Sequence, residues 1–129
     1  MKTEQELIAE LIKVFFPSEM LDYFEIVDFT IGSESVTVHL DERDKLMQAK
    51  EGHTYIKNGF LPESTISDFP ARDKKMTLVV RRRRWRDEAT GESVSNDYKL
   101  VAEGTRHSVE FAAFLKELIG YIPDRGIFA

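Results

Sequence analysis

The sequence predicts an α+β fold in which antiparallel hairpins are flanked by an N-terminal and a C-terminal helix. Three observations carry this. Apolar residues recur at helical spacing near both ends of the chain, alternate with polar residues through the middle, and the middle is cut by Pro62, Pro70, Gly32 and the Ala89-Thr90-Gly91 turn. With 129 residues the chain is expected to form one domain, 1–129, in which 1–44 make a helix plus hairpin and 60–122 a ribbon-like sheet plus helix. A hydrophobic share of 42% with 11% aromatics supports a folded core rather than disorder.

Thr3 and Glu6 fit a capping box, each side chain answering the other's free backbone donor, and Leu7, Ile8, Leu11, Ile12 and Phe15 then form one helical stripe. Pro17 ends that helix, with room for a short helical turn over 17–22. Tyr-Phe-Glu-Ile-Val-Asp-Phe-Thr-Ile over 23–31 reads as a strand. Gly32 and Ser33 turn the chain, and Val36, Val38 and Leu40 alternate in a hairpin partner. Residues 41–59 are polar with little periodicity and read as a long loop. Pro62 and Pro70 bracket a short strand over 63–69, and Asp73-Lys74-Lys75 turns into the longest strand, 76–87. Residues 93–102 read as its returning partner. After Gly104, Ser108 is a suitable N-cap for a final helix with Phe111, Ala112, Leu115, Leu118, Ile119 and Ile122 on one face, closed by Pro123 and Gly126.

The charge distribution is uneven. From Arg72 to Arg86 there are eight basic residues and one acid, Asp73, a local balance of +7 in a chain of net charge −5. The remainder has ten basic against twenty-two acidic residues, or −12. Solubility does not require such a patch, whereas a polyanion met at one place does. Strand alternation sets Arg82, Arg84 and Arg86 on one face and Arg81, Arg83 and Trp85 on the other, so this end of the ribbon is expected to project past the core. Guanidinium forks match phosphate oxygens, and Trp85 would stack on a base or sugar or pack against an arginine stem. Five phosphates neutralised would give a log K against log salt slope of roughly −4 to −5. The competing reading has the arginines paired internally, with Glu88, Glu92, Asp97 and Glu103 near enough in sequence to serve. Exposed pairs contribute only ~0–1 kcal/mol each, a weak reason for four consecutive arginines. A nuclear-import role for the basic run needs a host the sequence does not name.

Other chemistry finds little support. Cysteine is absent, which removes disulfides and thiolate metal sites and is compatible with a reducing compartment. His39, His53 and His107 show no metal-ligand spacing and read as surface or turn residues. Asp22, Asp28, Asp41, Glu42 and Asp44 are scattered carboxylates in a chain with 23 acids. Phe15, Phe16, Tyr23, Phe24 and Phe29 read as core. No Gly-rich phosphate loop or nucleophile elbow occurs, so no enzyme and no cofactor are expected. Lacking a signal-peptide pattern or an apolar run of ~18 residues, the product is expected in the cytoplasm.

The stretch 60–118 resembles the N-terminal region of bacterial insertion-sequence transposases, the ISAon group, akin to the ISL-type transposases with a zinc-ribbon-like N-terminal domain. The resemblance rests on Ile66-Ser67-Asp68-Phe69-Pro70, on Lys75-Met76-Thr77-Leu78-Val79-Val80-Arg81-Arg82-Arg83-Arg84-Trp85-Arg86, and on Val101-Ala102-Glu103-Gly104-Thr105-Arg106-His107-Ser108 with the helix after it. The 16–29 segment is also similar. Zinc-bearing relatives carry a Cys-x-x-Cys knuckle after the arginine segment, where this chain has Asp87 and Thr90, so the resemblance implies a metal-free ribbon. It further implies recognition of element-end double-stranded DNA by a non-catalytic accessory protein or N-terminal module, with the strand-transfer carboxylates elsewhere in a separate frame or later in the chain. The expected DNA contacts are Lys74, Lys75, Arg81, Arg82, Arg83, Arg84, Trp85, Arg86 and Arg106, with no catalytic and no metal-binding residue. The alternative is a protein–protein adaptor that docks an acidic partner such as the catalytic subunit. A small metal-free enzyme ranks last and would require a deep pocket with convergent carboxylates or a histidine.

Overall fold

A computed structural model of the chain describes residues 1–14, 16–71, 74–104 and 107–119. Helix α1 (Glu4–Lys13) begins with the expected capping box: Glu6 N–H donates to Thr3 Oγ1 and Thr3 N–H to Glu6 Oε1, both at 3.1 Å. After Pro17 comes α2 (Ser18–Tyr23), and then β1 (Phe24–Ile31) and β2 (Val36–Glu42) form the expected antiparallel hairpin. The chain continues through β3 (Tyr55–Phe60), β4 (Ser64–Ala71), β5 (Lys74–Arg81), β6 (Arg83–Asp87), β7 (Ser93–Val94), α3 (Tyr98–Ala102) and α4 (Val109–Ile119). Ser108 Oγ accepts the Phe111 N–H at the start of α4, as its capping role requires.

The strands form two sheets, a four-stranded β1-β2-β5-β4 and a three-stranded β3-β6-β7. Phe24, Val38, Leu40, Ile66, Phe69, Met76, Leu78 and Val80 line one face of the larger sheet. There they join Ile12, Phe16 and Met20 from the N-terminal segment and Tyr98, Ala102, Phe111, Phe114, Leu115 and Leu118 from α3 and α4. On the other face stand half-buried Thr37, His39, Thr77, Val79 and Arg81.

Several expectations are corrected. The sheet is mixed rather than purely antiparallel, because β2 and β5 run parallel, Val38 beside Leu78 and Asp41 beside Arg81. The strand over 76–87 is not continuous and breaks at Arg82 into β5 and β6, which belong to different sheets. Met76, Leu78 and Val80 point into the core, so unbroken alternation would drive the Arg82 side chain after them. At the break the Arg83 N–H leaves the ladder and donates to Glu42 Oε1 at 2.7 Å, while the Arg82 carbonyl accepts from Leu61 N–H at 2.8 Å.

The loop over 41–59 contains a strand at its end, β3, which pairs with β6. The strand over 93–102 is limited to Ser93–Val94. Asp97 then caps a helix by accepting the Lys99 N–H, and Tyr98 and Ala102, four residues apart, bury one face of it. Lys74 and Lys75 begin β5 instead of forming a turn. Pro70 lies within β4 and is tolerated because β4 is an edge strand. On α4, Phe114 is buried and Ala112 exposed, a rotation of the expected stripe. Phe15, Arg72, Asp73, Arg106, Ile122, Pro123 and Gly126 lie outside the described residues.

Candidate nucleic-acid interface

The five guanidinium groups of the 81–86 run meet different fates. Arg81 is chelated across the parallel register by Asp41, with Nε to Oδ1 at 2.8 Å and Nη2 to Oδ2 at 2.6 Å. That fork holds the Arg81 proton above its already high range, with Asp41 as the main cause. Arg81 also lies over Phe60, its Cζ 4.0 Å from the ring centre, and Arg83 approaches the same ring at 5.2 Å. Arg83 Nε donates to the Glu42 backbone carbonyl at 2.8 Å, and Arg84 Nε to the Asn58 carbonyl at 3.0 Å. Arg82 sits over the Tyr98 ring at 5.9 Å. Arg86 is exposed on the outer face of the small sheet, beside Ile56 and Ser93.

Beneath the run lies a buried polar cluster absent from the sequence-based site. Glu42 is 0% exposed. Its Oε1 accepts from the Arg83 N–H, and its Oε2 accepts from Asn96 Nδ2 at 2.8 Å and from the Tyr98 hydroxyl. Burial first, and then the Glu42 charge, push the Tyr98 hydroxyl far above its ordinary range, so Tyr98 stays protonated and donates. A pocket of about 320 Å³ opens here, lined by Asp22, Tyr23, Arg43, Lys45 and Met47 as well as by Glu42, Asn96 and Tyr98. The Glu42 carboxylate is committed to three internal donors, which makes it a structural acceptor rather than a waiting base. Asp41 and Glu42, which read as scattered acids in the sequence, are thus the carboxylates that organise the arginines. No local pattern marks them, since their partners lie about forty residues away.

Trp85 is 3% exposed on the inner face of the small sheet, where β3 and β7 flank it. Its ring packs, and stacking on a base is closed to it. Lys74 and Lys75 stand at the opposite end of β5 from Arg81, roughly 20 Å away at ~3.3 Å per residue, so they do not extend the same patch. Residues 81–86 are therefore a smaller and more internally tied cationic surface than five free arginines.

At the far end of β6, His53 Nδ1 and Asp87 Oδ2 are 2.7 Å apart, and the His53 ring lies against Tyr55. An ionised carboxylate only accepts, so the ring nitrogen carries the proton. Burial pulls the Asp87 carboxyl upward most strongly. The hydrogen bonds from His53 and the Ala89 N–H, with the charges of His53 and Lys50, outweigh it and leave the carboxyl below its ordinary value. A group lowered in the folded state stabilises above its unfolded value, near pH 4, and loses that contribution as pH falls through the folded one. His53→Ala is therefore expected to destabilise the protein at pH 6 and to do so much less at pH 3. Urea unfolding at the two pH values checks this, and an equal loss at both would remove the pair as the cause.

Where a cysteine knuckle would stand, the donors are already used. Asp87 is taken by His53 and Ala89, and Thr90 Oγ1 accepts the Glu92 N–H at 3.2 Å. Among the described residues no three His, Cys, Asp or Glu side chains cluster as metal ligands. His39 lies in β2, and His107 packs edge-on against Phe111 with Nε2 2.6 Å from the Val101 carbonyl oxygen.

The chain matches no protein-family model, no characterised protein and no solved structure. Function therefore rests on the residues themselves. No helix among the described residues is long and apolar enough to cross a membrane.

Proposed function

We propose that this chain is a non-catalytic module that binds the phosphate backbone of double-stranded DNA through Arg82, Arg84 and Arg86, with the role of an accessory or N-terminal part of an insertion-sequence transposase. One observation carries the reading: most arginines of the run are held by neutral acceptors rather than by carboxylates. Among the described residues the ion pairing of the run is Arg81 with Asp41. Arg83 and Arg84 are oriented by backbone carbonyls and Arg82 by a ring face, contacts that stiffen a guanidinium without cancelling its charge. Counting Asp41 and buried Glu42 against the five arginines leaves three positive charges on and beside β6, the central strand of the small sheet. A pre-positioned cation loses less conformational entropy on meeting a phosphate than a free one does.

In this reading the β3-β6-β7 sheet is the counterpart of the relatives' ribbon, and the Asp87–His53 pair closes it in place of a metal. Its partner is DNA at the element ends, and the module works in the cytoplasm beside a catalytic chain.

Fluorescence anisotropy with a duplex carrying a terminal repeat tests the proposal across a salt series. A log K against log salt slope of roughly −2 to −3 is expected, shallower than five free arginines would give. Arg84→Ala with Arg86→Ala should reduce that slope by roughly 2, whereas Arg81→Ala, already neutralised by Asp41, should leave it nearly unchanged. Unaltered binding by the double variant would sink the reading. Loss in that variant of a nuclease-resistant protein complex, without any DNA affinity in the parent, would instead favour docking to an acidic protein.

A further inference from the structure

The chain has two asparagines, Asn58 and Asn96, in opposite surroundings. Asn96 is buried, its amide is spent on Glu42, Lys45 and the Met47 N–H, and Asp97 follows it. Asn58 is exposed on β3, an edge strand, and its side-chain amide makes no hydrogen bond among the described residues. Gly59 follows, also exposed, with φ +78° at the irregularity where β3 slips against β6 between Lys57 and Phe60. No side chain of its own hinders approach to the Gly59 nitrogen. Outside its chain neighbours, a Cβ built on Gly59 would meet nothing nearer than Arg84 Nη2, at 3.9 Å. The peptide bond that joins the two residues also carries a cation, because Arg84 Nε donates to the Asn58 carbonyl at 3.0 Å.

We propose that Asn58 is a site of spontaneous deamidation promoted by Arg84. A guanidinium bonded to a peptide carbonyl stabilises the negative charge that the peptide takes on when its nitrogen loses a proton, as a fixed donor does for any developing oxyanion. Here that nitrogen belongs to Gly59. Once its proton has passed to hydroxide, Gly59 N attacks Asn58 Cγ, the Cγ–Nδ2 bond breaks, and Nδ2 leaves as ammonia with a proton taken from water. Water then opens the cyclic imide. Addition at Cγ gives aspartate, and addition at the main-chain carbonyl carbon gives isoaspartate, whose backbone runs on through Cγ. The net change consumes one water and releases one ammonia, with no redox step. Either product sets a carboxylate beside Arg84, on the face of the small sheet where Ile56 stands opposite Arg86. The modification stands on these residues alone, whereas its consequence rests on the proposed DNA contact: one net cation is cancelled, and binding declines as the protein ages.

Incubation of the full chain at mildly alkaline pH, with peptide mapping by mass spectrometry at intervals, tests it. Asn58 is expected to convert at least about tenfold faster than Asn96, given its exposure and the glycine after it. Both aspartate and isoaspartate peptides should appear, since direct hydrolysis of the amide gives aspartate alone. Arg84→Ala should slow the conversion at least about threefold through loss of the donor on the carbonyl. Asn58→Gln, which would have to close a larger ring, should stay unmodified and keep its DNA anisotropy throughout. Asn58→Asp should reproduce the aged parent, binding DNA about three- to tenfold more weakly with a salt slope shallower by about 1. An Asn58 that stays an amide, or converts no faster than Asn96, would overturn the proposal. An unchanged or faster rate in Arg84→Ala would overturn the part given to Arg84. Conversion in a parent that never binds DNA would uphold the modification site and fault the DNA reading instead.

Discussion

Replacing Glu42 by alanine is expected to lower the unfolding free energy by about 3–5 kcal/mol, because it removes one member of a buried charged network and strands the others. Three donors converge on that carboxylate: the Arg83 N–H, the Asn96 amide and the Tyr98 hydroxyl. Each, left without an acceptor inside the protein, costs about 1–3 kcal/mol, partly relieved by water entering the adjacent pocket. Glu42→Gln keeps one carbonyl acceptor and should cost less, about 1–3 kcal/mol. Urea unfolding at neutral pH measures both, and the alanine variant should melt roughly 10–20 °C below the parent. A Glu42→Ala protein within about 1 kcal/mol of the parent would show that the network does not hold the break between β5 and β6. The consequence for function follows from position. Glu42 accepts the backbone donor at the point where the arginine run leaves one sheet for the other, so it sets the direction in which Arg84 and Arg86 point.

The parts of this fold that were legible in the sequence are those specified by near neighbours. The Thr3–Glu6 cap, the stop at Pro17, the hairpin around Gly32 and the Ser108 cap all depend on residues a few positions apart. What was not legible depends on distant partners. Parallel pairing of β2 with β5 has no turn signature, so the Asp41–Arg81 fork that it creates could not be read locally. For the same reason β3 looked like loop: Tyr-Ile-Lys-Asn-Gly-Phe has little alternation, and its pairing with β6 includes an irregularity between Lys57 and Phe60. The arginine run was visible as charge, but the division of its members between Asp41, carbonyl groups and ring faces was not. Trp85 shows the same limit. Its neighbours suggested an exposed ribbon tip, whereas the small sheet turns it inward.

Phe114→Ala is expected to cost about 3–5 kcal/mol, while Ala112→Glu, two residues away, should change stability by no more than about 0.5 kcal/mol. The pair of substitutions decides the phase of α4. The sequence stripe through Phe111, Ala112, Leu115 and Ile119 places Ala112 inside. The buried set Phe111, Phe114, Leu115 and Leu118 follows i, i+3, i+4 and i+7 and turns the helix so that Ala112 faces water. Bulk accounts for the choice. Phe114 is fully buried, with its ring edge-on to Phe24 at 5.4 Å and to Phe69 at 6.4 Å and stacked on Phe111 at 6.3 Å. Truncation there opens a cavity among rings that cannot all collapse into it. Phe24 in turn stacks on Tyr98 at 5.6 Å, so the gap borders the ring whose hydroxyl serves Glu42. Guanidinium unfolding of the two variants, run beside the parent, separates the alternatives: comparable losses would return Ala112 to the core and overturn this packing of α4 on the sheet.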